Sequence, residues 1–402
     1  MPRRYDAAVI GGGASGIMAA ITAARRGRSV VLLDRMPRLG KKILITGGGR
    51  CNLAHENLDP ALYSTGAADL VSRVLARFGH LPIRLFFKEL GLETVSESGR
   101  VYPATNQAAS VLRVLEMEIA RRGVGVELHF DVVRIEALRA SFVVHAGDAR
   151  SLEAGSVILA GGGKSYPALG SNGSGYRLAE AFGHGLVLPV PSAVPLLVKD
   201  RLCHLLQGQK IRARASALVD GVVRHASEGD ALFTPYGLSG TAVLDVSESL
   251  SIALHRQTGR SVAVALDLVP FLSTEELAAE FSRRLRSGWS AADLVSGILP
   301  EKFRALAGEL LPAYPPEGDG AGALLASGLK DKRFSVQGTR GWNEAEFTTG
   351  GIDAREVDPG TLESRFRKRL YLAGEILDVQ GGRGGYNLAW AWASGRAAGE
   401  AV

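Results

Sequence analysis

The sequence predicts an α/β fold that opens on a strand, a glycine-rich turn and a helix. Three observations lead there. Residues 5–10 (YDAAVI) form an apolar run that meets Gly11-Gly12-Gly13-Ala14-Ser15-Gly16. Apolar runs that end in glycine recur at residues 157–160 (VILA) and 370–373 (LYLA). Finally, 50 of the 402 residues are Gly, well above the roughly 7% of ordinary proteins. There is no Gly-X-Y period, Pro numbers only 16, and 46% of residues are hydrophobic. The glycines therefore belong to turns and close backbone approaches rather than to collagen or a linker.

Taken in order, residues 5–10 read as a buried strand and residues 17–26 as an Ala-rich helix closed by Gly27. Residues 29–33 (SVVLL) are a second buried strand. It ends at Asp34, about 18 residues beyond Gly16, the spacing of a dinucleotide fingerprint. Each part of GxGxxG has a task. Gly11 permits the tight turn, Gly13 lets backbone approach a pyrophosphate, and Gly16 packs helix on strand. The helix start, with Ala14 and Ser15, faces the phosphates. The Asp34 carboxylate accepts from a ribose and disfavours a 2′-phosphate.

The C-terminal end names the dinucleotide. Residues 370–373 run into Gly374-Glu375, then Gly381, Gly382, Gly384 and Gly385, and a final helix spans residues 386–398. An N-terminal GxGxxG with a late strand-Gly-acid-helix is the two-ended arrangement of FAD enzymes. Glu375 is expected to hold the ribityl chain. The last helix aims its positive end at the flavin pyrimidine ring. There is no second strand-GxGxxG-helix unit, so NADH or NADPH is expected to act only as a transient electron donor over the flavin.

Several linked motifs occur in order: residues 45–52 (ITGGGRCN), 160–175 (AGGGKSYPALGSNGSG), 232–240 (LFTPYGLSG), 348–352 (TTGGI), 361–365 (TLESR) and 372–392 (LAGEILDVQGGRGGYNLAWAW). On these the chain resembles the BaiN/YhiN-type bacterial flavoproteins, also labelled aminoacetone-oxidase-family FAD-binding enzymes. The resemblance implies a split Rossmann-like FAD-binding domain with an inserted antiparallel β-barrel that itself carries a small helical insert. The expected boundaries are 1–188 and 346–402 for the FAD domain, 189–268 and 329–345 for the barrel, and 269–328 for the helices. Residue patterns agree. Pro189, Pro191 and Pro195 punctuate a crossover, and alternating runs such as Arg212-Ala213-Arg214-Ala215 and Val262-Ala263-Val264-Ala265 suit strands. Leu277, Phe281 and Leu285 recur every four residues after Thr274, as in a helix. Ser290 and Asp293 are expected to form a capping box, Pro300 to open a helix, and residues 314–318 to close the module.

The expected flavin-binding residues are Gly11, Gly13, Ala14, Ser15, Gly16, Asp34 and Arg35 at the first end. They continue with Lys42, Thr46, Gly48, Gly49, Arg50 and Asn52, and with Ala160, Gly161 and Gly162. Gly374, Glu375, Gly385, Tyr386, Asn387 and Leu388 complete them. The resemblance places residues 47–52 beside the isoalloxazine. There Arg50 holds an anionic or carbonyl group of substrate, or else forms a structural ion pair. Cys51 either gives substrate a proton or packs as a small buried hydrophobe. Tyr236 and Ser239 are proton donors or carbonyl binders, or members of a β-turn. Pro235, Thr241, Gln380 and Arg383 depart from the family's usual His, Pro, Asp and Thr, which points to a different substrate choice. His55, His80 and His184 read as surface or core residues, with no metal pattern among them.

Composition bounds the function. Lys+Arg (47) exceed Asp+Glu (41), a net charge of +6, which suits anionic ligands or nucleic acid and excludes an acidic disordered chain. The only cysteines, Cys51 and Cys203, make no CxxC and no zinc spacing, so a disulfide reductase is disfavoured and a reducing cytoplasm expected. The uncharged residues 7–24 imitate a signal peptide, but their glycine cluster would weaken an apolar helix. The chain is read as soluble, with no obligate protein partner. The leading function is an FAD-dependent oxidoreductase passing hydride through flavin N5, and the resemblance implies reduction of a C=C bond conjugated to a carbonyl. The resemblance also implies an alternative, a ribosomal RNA dihydrouridine synthase, which basic residues of the barrel such as Arg212 and Arg214 and the late cluster Arg365, Arg367, Lys368 and Arg369 would suit. A flavin-dependent amine oxidase and a non-catalytic flavin-binding module complete the readings.

Overall fold

The computed structural model describes residues 4–311 and 319–402. The chain divides into two compact units, Met1–Pro189 with Phe347–Val402, and Val190–Glu346.

The first unit is built on a seven-stranded mixed sheet. Strand Arg4–Ile10 lies at its centre, parallel to Val30–Leu33 on one side and to Ser151–Leu159 on the other. Gly125–Glu127 extends the first side. The long strand Ser151–Leu159 serves two partners along its other edge. Residues 151–154 pair antiparallel with Phe142–Ala146, and residues 157–159 pair parallel with Leu370–Leu372. That second pairing brings the C-terminal segment into the N-terminal sheet. The central strands are buried on both faces, which is why they read as unbroken apolar runs rather than alternating ones.

Helix Ala14–Arg25 covers this sheet and meets the last helix, Tyr386–Ala401. Their backbones touch. A Cβ at Gly395 would lie 2.3 Å from the Ser15 carbonyl oxygen, and one at Gly399 would lie 2.5 Å from that of Ala19. Trp390 and Trp392 are fully buried beside this contact, and their indole N–H groups donate to the carbonyls of Gly374 and Leu53. Burying such rings contributes about 1.5–3 kcal/mol each, and the bonds remove the cost of two buried donors. Three helices that the sequence reading did not anticipate, Ala68–Arg77, His80–Glu89 and Ala108–Arg121, complete this unit. Their apolar spacing, as in Leu70, Val71, Val74 and Leu75, carried the signal.

The second unit contains a closed antiparallel barrel. Its strands run Leu196–Val198, Gly237–Ser239, Val222–Thr234, Lys210–Val219, Val262–Asp267 and Lys332–Thr339 around the ring. Ala213, Ala215 and Ala217 point inward while Arg212 and Arg214 point out, the period-two pattern visible in the sequence. Residues 241–256, read within a strand-dominated region, instead form helix Thr241–Arg256. Ala242, Val243, Val246, Leu250 and Ala253 bury one face at helical spacing. Helix Thr274–Arg286 carries the capping box, between Ser273 and Glu276. The box expected at Ser290 is only half made. Ser290 Oγ caps the Asp293 N–H at the start of the short turn Ala291–Asp293, and no return bond reaches the Ser290 backbone. Pro300 precedes a single 3-10 turn, Glu301–Arg304, which leads into helix Ala305–Leu310. Residues 314–318, expected to close the module, lie outside the described residues.

Candidate active site

The four parts of the candidate site described next lie in the first unit, and Tyr236 does not. The fingerprint turn is closed behind and open in front. Gly11 has φ +110°, and a Cβ there would lie 2.3 Å from the Ala160 carbonyl oxygen. A Cβ at Gly16 would lie 1.8 Å from the carbonyl oxygen of Gly11. Between them a Cβ at Gly13 meets nothing within 4 Å. Gly13 is also the N-cap of helix Ala14–Arg25, with no capping side chain. The first-turn N–H groups therefore face an open cradle, the physical requirement for a pyrophosphate. Asp34 is positioned by the same turn. Its carboxylate accepts from the Gly12 N–H at 2.6 Å and from the Met36 N–H at 2.7 Å. Burial pushes its carboxyl above the ordinary range, opposed by those two N–H groups. Arg35 pairs with Asp131 at 3.2 Å. Ala160, expected to touch cofactor, is buried and forms the wall behind Gly11.

The second part joins residues far apart in the chain. Lys42 Nζ lies 2.7 Å from Glu375 Oε2 and 2.6 Å from Ser165 Oγ. The other Glu375 oxygen accepts from the Thr348 N–H at 2.8 Å. Thr348 Oγ1 in turn accepts from the N–H groups of Lys164 and Ser165. Sequence reasoning missed Ser165 and Thr348. Both lie inside quoted motifs, and nothing in their spacing tied them to Glu375.

The third part is the loop at residues 46–52. Gly47, Gly48 and Gly49 have φ of 57°, 66° and 89°, so all three occupy left-handed backbone that side chains rarely adopt. The glycines are needed for the backbone path itself. At Gly48 a Cβ would meet no protein atom within 4 Å. Thr46 turns its hydroxyl to the Ile43 carbonyl at 2.7 Å. Cys51 follows at φ +61° and is wholly buried in the apolar core. Burial pushes its thiol up to about 12, so it neither reaches solvent nor gives up a proton readily. These facts suit the second of the two readings of Cys51, a small packed hydrophobe. Asn52 is buried, and its Oδ1 has no hydrogen-bond partner.

The fourth part is the start of the last helix. Gly385, at φ +105°, precedes Tyr386, and a Cβ on it would strike Ala54 at 2.5 Å and Asn52 Oδ1 at 2.7 Å. The loop before it is buckled by Asn387. The Asn387 side chain accepts from the Gly381 N–H at 3.0 Å and donates to the Gly381 carbonyl at 2.8 Å. That side chain is committed to the loop, leaving its backbone N–H for a ligand at the helix start. Arg50 forms the ion pair considered for it. It pairs with Glu97 at 2.6 Å and lies 4.0 Å over the Tyr102 ring. It also lines an open cleft of about 350 Å³ with His55, Arg100, Arg383 and Tyr386.

Tyr236 belongs to the second unit. It sits in the tight connection between strands Val222–Thr234 and Gly237–Ser239, where Thr234 Oγ1 donates to the Gly237 carbonyl. The Arg340 guanidinium lies 4.5 Å from its ring. Several of the basic residues singled out in the sequence make contacts within the protein. Arg212 pairs with Glu228 and Lys210 with Asp230, while Arg367 and Arg369 bond the carbonyls of Leu138 and Ala140.

The donor set fits FAD. An open, capless helix start accommodates a pyrophosphate, a buried carboxylate at the end of the second strand suits a ribose, and an orphaned buried Asn52 Oδ1 awaits a donor. Fold and site define a flavoenzyme, an FAD-dependent oxidoreductase whose cofactor domain is closed by its own C-terminal segment. The chain belongs to the family described as "HI0933-like protein Rossmann domain", which it matches over residues 5–401. It is 39% identical to the 3-dehydro-bile acid delta(4,6)-reductase of Clostridium scindens, over 98% of each chain. It is 30% identical to the ribosomal RNA dihydrouridine synthase of Haemophilus influenzae, over 96% of this chain and 95% of that one. In fold it resembles the 3-ketosteroid delta1-dehydrogenase of Sterolibacterium denitrificans, with TM-score 0.51 and 15% identity over 99% of each chain. Among the described residues, no helix is long and apolar enough to cross a membrane.

Proposed function

We propose that this flavoenzyme reduces a carbon–carbon double bond conjugated to a carbonyl in a small-molecule substrate. The observation that carries the reading is similarity along nearly the whole length to a protein named as a delta(4,6)-reductase. The open cleft at Arg50 offers room for a ring system. FAD, when bound, supplies hydride through its N5.

The chain's own residues divide the remaining work. The N–H groups after Gly13 hold the pyrophosphate, and Asp34 holds the ribose. Lys42, Glu375 and Ser165 hold the ribityl hydroxyls. Backbone of residues 47–49 and 385–388 holds the flavin ring, with Asn52 Oδ1 accepting from it. Arg50 binds the substrate's carbonyl or anionic group. Tyr236 is the candidate proton donor to the α carbon on the chemistry of its phenol alone. NADH or NADPH is the transient electron donor. Residues 269–328 act as a helical module within the barrel domain. A small-molecule substrate is favoured over RNA by the higher identity to the relative named as a reductase, 39% against 30%. A cytoplasmic site of action belongs to the same proposal, with both cysteines free.

The test is anaerobic titration of the yellow protein with NADH and NADPH, followed by a cyclic enone. The flavin should bleach and then regain its colour on enone addition. Reduction by an amine with no response to enones would replace this reading with an amine oxidase. The RNA reading rests on the 30%-identical relatives named as dihydrouridine synthases. Loss of a dihydrouridine from ribosomal RNA in a deletion strain would establish it instead.

A further inference from the structure

The side chain of His184 is wholly buried in the first unit and lies between two groups that fix its proton. Its Nε2 is 2.8 Å from Ser364 Oγ, and its Nδ1 is 3.1 Å from Glu356 Oε2. Ser364 Oγ already accepts from the N–H groups of Phe366 and Arg367, each at 3.1 Å. A hydroxyl has two lone pairs and one proton, so Ser364 must donate to Nε2. The imidazole proton therefore sits on Nδ1 and is donated to Glu356. The same Glu356 oxygen accepts from the Gly185 N–H at 2.8 Å. Phe366 closes the site edge-on, at 4.9 Å between ring centroids. One neutral tautomer satisfies every group. A second proton, on Nε2, would face the Ser364 hydroxyl with no lone pair left to take it, and a buried donor without a partner is costly.

Burial holds the imidazole below its ordinary range, against the opposing pull of the Glu356 charge. The other charged groups on the elements around it are engaged elsewhere. Arg355 pairs with Asp353, and Glu363 with Lys368. Arg365 and Arg367 bond the carbonyls of Arg355 and Leu138, and Asp358 accepts from Thr361. Glu180, on the helix before His184, is exposed. The cluster stands on two routes to Glu375. Glu356 follows strand Phe347–Ile352, whose Thr348 N–H donates to Glu375. Ser364 donates its N–H to the Leu370 carbonyl at 2.7 Å, at the start of the strand that runs into Gly374 and Glu375. We propose that His184, Glu356 and Ser364 form an acid-sensitive latch on the C-terminal segment, which opens when the imidazole takes a second proton and loosens the grip on the flavin. The latch is independent of the double-bond reading and rests on Glu375 as a flavin contact. Its sign follows from the imidazole. The unfolded chain binds the proton first as pH falls below about 6.5. The latch is therefore whole above that value and is lost as pH falls through the lowered native value.

Two measurements test the latch. The first follows the histidine rings of ¹⁵N-labelled, flavin-bound protein by NMR as pH is lowered. The His184 signals are those absent from His184→Gln or, should that variant fail to fold, those displaced in Glu356→Gln. The neutral ring should carry its proton on Nδ1 and titrate below the ordinary histidine value of about 6.5. Glu356→Gln should keep that tautomer and titrate lower still, because the opposing carboxylate charge is gone. A proton on Nε2, or a midpoint at or above the ordinary value, overturns the proposal. The second measures the FAD dissociation constant at about pH 7.5 and about pH 5.5. Wild type should lose about threefold or more in affinity beyond any loss in His184→Gln. The Gln amide stays neutral and offers one donor and one acceptor to the same partners. In Glu356→Gln the loss should move to lower pH. Equal losses in wild type and both variants overturn the proposal. Glu375→Gln keeps the two readings apart. Unchanged FAD affinity in that variant would remove Glu375 as a flavin contact, and the pH comparison would still decide the latch.

Discussion

Lys42 Nζ lies 2.7 Å from Glu375 Oε2, although 333 residues separate them. The pair ties the loop after the second strand to the C-terminal segment, and Ser165 joins it from the middle of the chain. Both side chains are about one-fifth exposed (23% and 20%), so the pair is worth more than a surface bridge and less than a fully buried one. Lys42→Met should lower the stability of the flavin-free protein by about 1–3 kcal/mol. It should lower that of the flavin-bound protein by more, because the ribityl site is lost too. Thermal unfolding with and without added FAD measures both.

Two neighbouring glycines should fail in opposite ways. A side chain at Gly13 meets no protein atom, so Gly13→Val should fold and be colourless. A side chain at Gly16 collides with the Gly11 carbonyl at 1.8 Å, so Gly16→Val should be poorly folded whether or not flavin is supplied. Circular dichroism and the visible spectrum of each variant distinguish these outcomes. A yellow Gly13→Val protein would show that the pyrophosphate lies elsewhere.

Cys51 should prove dispensable for chemistry. It is buried, and its thiol is pushed up to about 12. Cys51→Ala is expected to retain flavin and turn over within about twofold of wild type, losing roughly 1 kcal/mol of stability from reduced burial. Native protein should react with a thiol reagent only after unfolding. A tenfold or greater loss in turnover with flavin still bound would return Cys51 to the reaction.

Glu118 predicts an acid limit. Its side chain is 2% exposed and is held by Arg25, Arg121 and Arg122 at 2.9, 2.5 and 3.0 Å. Burial opposes its charge, but the three guanidinium groups win and keep its carboxyl below the ordinary range. The unfolded chain therefore binds the proton first as pH falls. The stabilisation is fully present above the ordinary carboxylate pKa of about 4.3 and is lost as pH drops through the lowered native value. Glu118→Gln should flatten the pH dependence of unfolding free energy in that acid window and cost about 1–3 kcal/mol at pH 7. Urea titrations at pH 7 and at steps from about pH 5 down to about pH 3 provide the comparison.

The legible parts of this protein were those written in local pattern. The strand, turn and helix at residues 4–25 and the strand-Gly-acid-helix near the C-terminus follow from apolar runs and glycine spacing. So do the alternating barrel strands. Helix Thr241–Arg256 was missed because turn-like residues and alternating runs surround it, although its own buried face repeats at helical spacing. For the glycines at 47–49, the sequence suggested room for a flat ring. The structure adds that three successive positive φ values require them.

By itself, then, the sequence determined the strand, turn and helix proposed to hold the dinucleotide. A pyrophosphate cradle is a local object, made by a handful of consecutive residues whose backbone must come close to a ligand. Only the tertiary structure decided who stands opposite. It paired Lys42 with Glu375, buried Cys51, and gathered Arg50, Arg100 and Arg383 around the His55–Tyr386 stack. The physical reason is that electrostatic partners and burial depend on distances across the sheet and between packed loops. Those distances are set by strand order and helix packing, and no spacing along the chain encodes them.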